Sequence, residues 1–381
     1  MSSSVVSARR PRATSKSSAT PQASAFDGRF FGVLVCFFLS GLAGLLYETA
    51  WTRQFAFVFG TSELAVVTVL AGYFGGLTLG AAIAGRWATR IRRPILTYGL
   101  LELGIALAAI GMPYAIEAST RVYVAVFGGR PDSLETGGLV TAIFYLLCSF
   151  AILLVPTAMM GATLPLLARY AVTRERQIGP RVGLLYAVNT IGAVAGTVIA
   201  AFALLPALGL LRTIWVGVFV NLLVFLAALL LSRASVAAEP DSGHEETSDS
   251  KRAASEGIAG TRVRWILPMM LVSGAASFSY EVIWTRLLGH VLGASVFAFS
   301  TMLASFLAGI AFGAAIASRF SRRREGTVSL FAIVQFGICI AALLSYALME
   351  RLPDWARSIG AGVSAGLLAN AAVCALILLP R

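Results

Sequence analysis

Tyr47-Glu48-Thr49-Ala50-Trp51-Thr52-Arg53 returns later in the chain as Tyr280-Glu281-Val282-Ile283-Trp284-Thr285-Arg286. The two runs are the centre of a longer repeat. Ser40 to Arg93 lies on Ser273 to Gly326 without a gap, and about half of the positions from Ser40 to Arg86 are identical. A ladder of small residues four apart follows each run, Gly72, Gly76, Gly80 and Ala84 in the first copy and Ser305, Gly309, Gly313 and Ala317 in the second. Both ladders end in arginines: Arg86, Arg90, Arg92 and Arg93, then Arg319, Arg322, Arg323 and Arg324. The protein therefore reads as two related halves, and a mechanism must treat them as partners.

Composition places those halves in lipid. With 58% hydrophobic and 13% charged residues and a mean hydropathy of +0.82, a chain of this length lacks the polar surface to cover a water-soluble globule. The net charge of +12 does not point to nucleic acid, because the basic residues fall in short clusters between apolar runs, as cytoplasmic loops of membrane proteins do. Cys36, Cys148, Cys339 and Cys374 all sit inside apolar runs, with no spacing suited to a disulfide framework or a metal, so no metal or cofactor is expected.

From Phe30 onward, apolar segments of about 20 residues, enough to cross a ~30 Å hydrocarbon core, alternate with polar breaks. Spans are expected near 30–50, 62–85, 95–116, 138–168, 183–206 and 210–231. The second half gives 265–288, 295–317, 327–349 and 361–379. Arginine-rich breaks all fall on one side and the opposite breaks mix signs, which puts the N terminus in the cytoplasm. The expected fold is an all-α polytopic membrane protein of about ten transmembrane helices in two parallel repeats. Its parts are a disordered cytoplasmic tail (1–29), a first six-helix repeat (30–231), a flexible cytoplasmic linker (232–262) and a second repeat (263–381). In that second repeat the counterpart of Pro156 is Pro380, followed only by Arg381, which reads as a truncated chain.

The doubled YExxWTR run, the ladder ending in basic residues, and the PxxxxGATLP stretch from Pro156 to Pro165 resemble the membrane region of bacterial fused transporter-like spermidine synthases. In that family a major-facilitator-like membrane domain precedes an aminopropyltransferase domain. The resemblance implies a multi-pass protein of the bacterial inner membrane, transporter-like, binding or moving a polyamine or another cation. The alternative is a non-transporting anchor for a spermidine-synthase-like soluble domain or subunit. Catalysis is not expected on this chain, since the family's chemistry lies in a soluble domain with a Gly-rich cofactor loop that is absent here.

Among individual residues, intramembrane carboxylates are functional candidates by default. Glu48 and Glu281 head the set. Thr52 lies one turn from Glu48, but Arg53 at i+5 points elsewhere, so the expected pairing is crossed between the copies, Glu48 with Arg286 and Glu281 with Arg53, closing a gate between the halves. The competing reading is a structural cluster at the membrane interface, to which Trp51 and Trp284 would belong. Glu102 is deeper in its span and its repeat partner is Gln335; a carboxylate facing an amide suits one cation site, or a buried hydrogen bond between helices. Gly72, Gly76, Gly80, Gly309 and Gly313 are read as helix-packing positions.

Overall fold

A computed structural model describes residues 28–59, 63–128, 138–172, 178–236, 261–292, 296–320 and 327–349. Within them the chain forms nine α-helices and no strand: α1 (Gly28–Phe59), α2 (Glu63–Trp87), α3 (Pro94–Phe127), α4 (Gly138–Ala171), α5 (Ile178–Ile199), α6 (Leu205–Val236), α7 (Thr261–Leu292), α8 (Val296–Phe320) and α9 (Thr327–Met349). Each coincides with an expected span. The expected span at 361–379, Arg322 to Arg324, most of the tail and most of the linker lie outside the described residues.

Among the described residues five stretches are long and apolar enough to cross a membrane: Gly28–Ala56, Val67–Trp87, Pro94–Phe127, Gly138–Ala171 and Arg181–Ala234, the last of which covers both α5 and α6. The apolar stretches within α8 and α9, Phe299–Gly313 and Phe331–Ala347, are shorter. Leu107, Leu147, Phe219 and Leu230 are all exposed. Rows of bare leucine and phenylalanine would be costly in water and are at home in lipid tails.

Local sequence sets the helix ends. Pro94 opens α3, where its missing N–H would have had no partner anyway. Gly128 closes it in the left-handed conformation (φ 74), its N–H donating to the Val124 carbonyl at 2.9 Å. Helix α5 runs through a π turn, Ala200–Leu204, into α6. The chain reverses there at Gly209 (φ 75, ψ 178), a backbone region essentially closed to residues with a side chain.

The first six helices form one bundle. Helix α2 lies along α4, α1 packs on α5 and α6, and α3 packs on α4 and α6. Small residues make the approaches close. A Cβ on Gly76 would collide with the Thr157 hydroxyl, one on Gly80 with the Ala158 carbonyl, and one on Gly161 with the Leu77 carbonyl. Packing of this kind holds membrane helices together where lipid removes the hydrophobic drive between them. Asn189 adds a polar tie, its side-chain N–H donating to the Phe37 carbonyl at 3.0 Å across α5 and α1. In the second copy of the ladder, Gly313 has no atom of the described residues within 4 Å of where a Cβ would stand, and Phe312 and Ile316 beside it are exposed.

The two halves meet in two places. Helix α5 packs on α8, and an apolar cluster joins Leu45 and Leu70 of the first half to Trp284, Phe299, Met302 and Leu303 of the second. Phe74 meets Phe278 edge-on across this seam, with ring centroids 5.9 Å apart.

Candidate functional site

Helical spacing puts Tyr and Trp of the YExxWTR run one turn apart, on one side of their helix. In α1 their rings stack, 5.1 Å apart and within 9° of parallel, and both are fully buried. Trp284 in α7 is buried as well. Neither tryptophan lies in an interfacial belt, because protein rather than lipid headgroup covers them. Glu48 is 2% exposed and Glu281 3%. In both copies the threonine four residues on turns its hydroxyl to the backbone carbonyl of the glutamate, at 2.8 Å. The threonine thus leaves the carboxylate itself unbonded.

Glu48 and Glu281 stand on α1 and α7, both of which contribute side chains to the apolar cluster that joins the halves. Each keeps a buried Oε1 with no hydrogen-bond partner. Among the described residues Arg121 pairs with Glu117 on an exposed turn of α3. Five residues on from its glutamate, each arginine of the repeated run leaves its helix about 140° away, and Arg286 is exposed while Glu281 is buried.

Glu281 opens onto two spaces. One is a cavity of about 170 Å³ within the second half, with Glu281, Gln335 and Ser273 on its polar side and Tyr280, Trp284 and Phe306 around it. The other, about 860 Å³, lies along the seam and is walled by Phe74, Leu79 and Phe150 of the first half and Phe278 and Phe306 of the second. Glu281 and Ser277 belong to both. The matching place in the first half is closed. Tyr47, Trp51, Val69, Tyr73 and Ile105 are buried in one packed cluster, and α6 comes so close at Gly217 that a Cβ there would stand 2.6 Å from the Tyr47 ring.

A mostly apolar cavity with a buried carboxylate in its wall, in a chain of apolar helices, invites comparison with transport proteins. The family model of the Major Facilitator Superfamily matches residues 30–380. The chain belongs to the Major Facilitator Superfamily. It is a multi-pass membrane protein with a transporter-like function. No curated protein and no solved structure matches it.

In this facilitator Glu102 has a different setting from the other two glutamates. It is fully buried, and both carboxylate oxygens have donors: the Ser40 hydroxyl at 2.5 Å and the Asn221 side-chain N–H at 2.8 Å. The same asparagine N–H lies 3.3 Å from the Glu102 backbone carbonyl. Glu102 lines neither space. Its repeat partner Gln335 does line the cavity and donates its amide N–H to Ser273 at 2.6 Å. Gln335 and Glu281 are therefore brought together, while Glu102 is held apart in a satisfied network. Arg53 is half-buried in α1 and lines neither space.

Sequence reading overlooked Ser40 and Ser273. The signal was present, since both serines are the first residue of the repeat and each stands 62 positions before its partner. A single asparagine in an apolar run such as Asn221 announces a hydrogen bond between helices but not that its acceptor is a carboxylate. Asn221→Ala is expected to leave one oxygen of Glu102 without a donor. The cost is on the order of 1–3 kcal/mol, read as a lower melting temperature of the purified protein in detergent.

Proposed function

We propose that this facilitator binds and moves a small organic cation of the amine class, with Glu281 as its anionic contact. The observation that carries the reading is the unpartnered, buried Oε1 of Glu281 at the junction of a cavity and a larger groove. A buried carboxylate oxygen with no donor is costly, and a ligand bearing N–H groups and a positive charge supplies what it lacks. Tyr280, Trp284 and Phe306 suit the same ligand, because aromatic faces attract cations and tolerate methylenes. Glu48, contributed by the other half, adds negative charge from across the seam. A polyamine combines ammonium groups with an alkyl stem and is the finer reading, supported by the motif resemblance to the membrane region of spermidine-synthase fusions.

On this reading the two halves are parallel repeats with the N terminus on the cytoplasmic side of a bacterial inner membrane, as the arginine distribution supports. Reconstituted into liposomes, the chain is expected to take up labelled putrescine or spermidine saturably and above empty vesicles. Uptake no greater than that of empty vesicles overturns the proposal and favours an anchor for an aminopropyltransferase partner.

A further inference from the structure

We propose that Gln335 sets the selectivity of the Glu281 cavity, so that the site takes an ammonium still carrying N–H bonds and discriminates against a fully alkylated one. The inference rests on the cation reading above and goes beyond it to the chemistry of the nitrogen. A cavity lined by a carboxylate and aromatic rings alone would accept either kind of ammonium, since charge and ring faces attract both. The amide changes this.

Gln335 gives an N–H to the Ser273 hydroxyl at 2.6 Å. That bond fixes which end of the amide is spent. A side-chain amide offers two donors and one carbonyl acceptor, and among the described residues the Gln335 carbonyl accepts no hydrogen bond. The cavity wall therefore holds the Glu281 Oε1, buried and without a donor, and the half-buried Gln335, whose carbonyl is not spent on Ser273. A primary ammonium brings three N–H donors and satisfies both. A trimethylammonium brings none and seals both acceptors away from water, the kind of mismatch on which polar sites discriminate most strongly.

The first half shows that the serine partner fixes this polarity. There Ser40 is the donor and Glu102 the acceptor, at 2.5 Å. In the second half the hydroxyl receives an N–H from the amide that stands in the carboxylate's place. The contact recurs in both copies with its direction reversed, and it is the reversal that leaves a free carbonyl in the cavity. Removing the Ser273 hydroxyl would release the amide to turn its N–H groups inward and oppose a cation.

The test is equilibrium binding of labelled n-butylammonium and n-butyltrimethylammonium to the purified full chain, wild type, Gln335→Leu and Ser273→Ala. Wild type is expected to prefer the primary ammonium by on the order of 10- to 100-fold. Gln335→Leu should bring that ratio to within about threefold of unity, mainly by weakening the primary amine, and Ser273→Ala should lower it in the same direction. Melting curves of both variants identify any that fails to fold, and the serine variant, which removes one oxygen only, keeps the test decisive if the leucine variant is lost. Equal wild-type affinity for the two ligands, or an unchanged ratio in folded variants, overturns the role of Gln335 while leaving the cation site standing. Failure of both ligands to bind overturns the cation reading itself and this inference with it.

Discussion

Protein carrying Glu281→Gln is expected to take up a primary amine at least ~10-fold more slowly than wild type in proteoliposomes, while melting at the same temperature or higher. The two expectations have one cause. Glu281 is 3% exposed with an oxygen that bonds nothing, so in the absence of a cation the carboxylate is an unrelieved charge in a low-dielectric setting. Glutamine has nearly the same shape and removes that charge, which relieves the empty protein. With a cation bound the comparison reverses. A charge-assisted hydrogen bond contributes about 1.5–3 kcal/mol, and its loss is roughly 10- to 100-fold in affinity. A residue kept for stability would behave the other way, losing melting temperature and leaving uptake alone.

Glu48→Gln makes the useful comparison. Glu48 lines neither space, so its charge acts on a ligand only through the seam, and the expected loss is smaller than that for Glu281. Wild-type uptake in the double variant would sink the cation reading for both residues.

The repeat made most of this arrangement readable before any coordinates. An identical YExxWTR run in two apolar segments announced equivalent helices, and α1 and α7 do present Glu48 and Glu281 in the same local setting, each with a threonine bonded to its carbonyl. What the pattern lacked was the direction in which each run faces its neighbours. Trp51 and Trp284 looked like headgroup anchors because tryptophan near the end of an apolar segment usually is one. Helix α1, however, continues to Phe59, which leaves Trp51 inside the bundle. Ser40 and Glu102 were invisible as a pair because a hydrogen bond across 62 residues leaves no periodic trace in one helix. It shows only when the two copies are laid together and the same interval is found twice.

The asymmetry between the copies gives the second large expectation. Gly80→Ala is expected to destabilise the protein on the order of 3 kcal/mol or to abolish its accumulation in the membrane, whereas Gly313→Ala, the same change at the equivalent rung, should alter the melting temperature little. At Gly80 the added methyl would fall on the backbone carbonyl of Ala158. Backbone cannot rotate aside as a side-chain tip can, so α2 and α4 must separate. That separation would loosen the contacts at Gly76 with Thr157 and at Gly161 with Leu77 that lie along the same line. In lipid no hydrophobic gain drives the two helices back together, since tails solvate the exposed faces as well as leucines do. At Gly313 the same methyl meets nothing within 4 Å among the described residues, and the helix gains the intrinsic preference for alanine over glycine, up to about 1 kcal/mol. Melting of the two single variants in detergent, side by side, separates the cases. Equal behaviour would mean that the ladder on α2 is not what holds α4, and that the closed packing of the first half, against which the open cavity of the second is defined, has another origin.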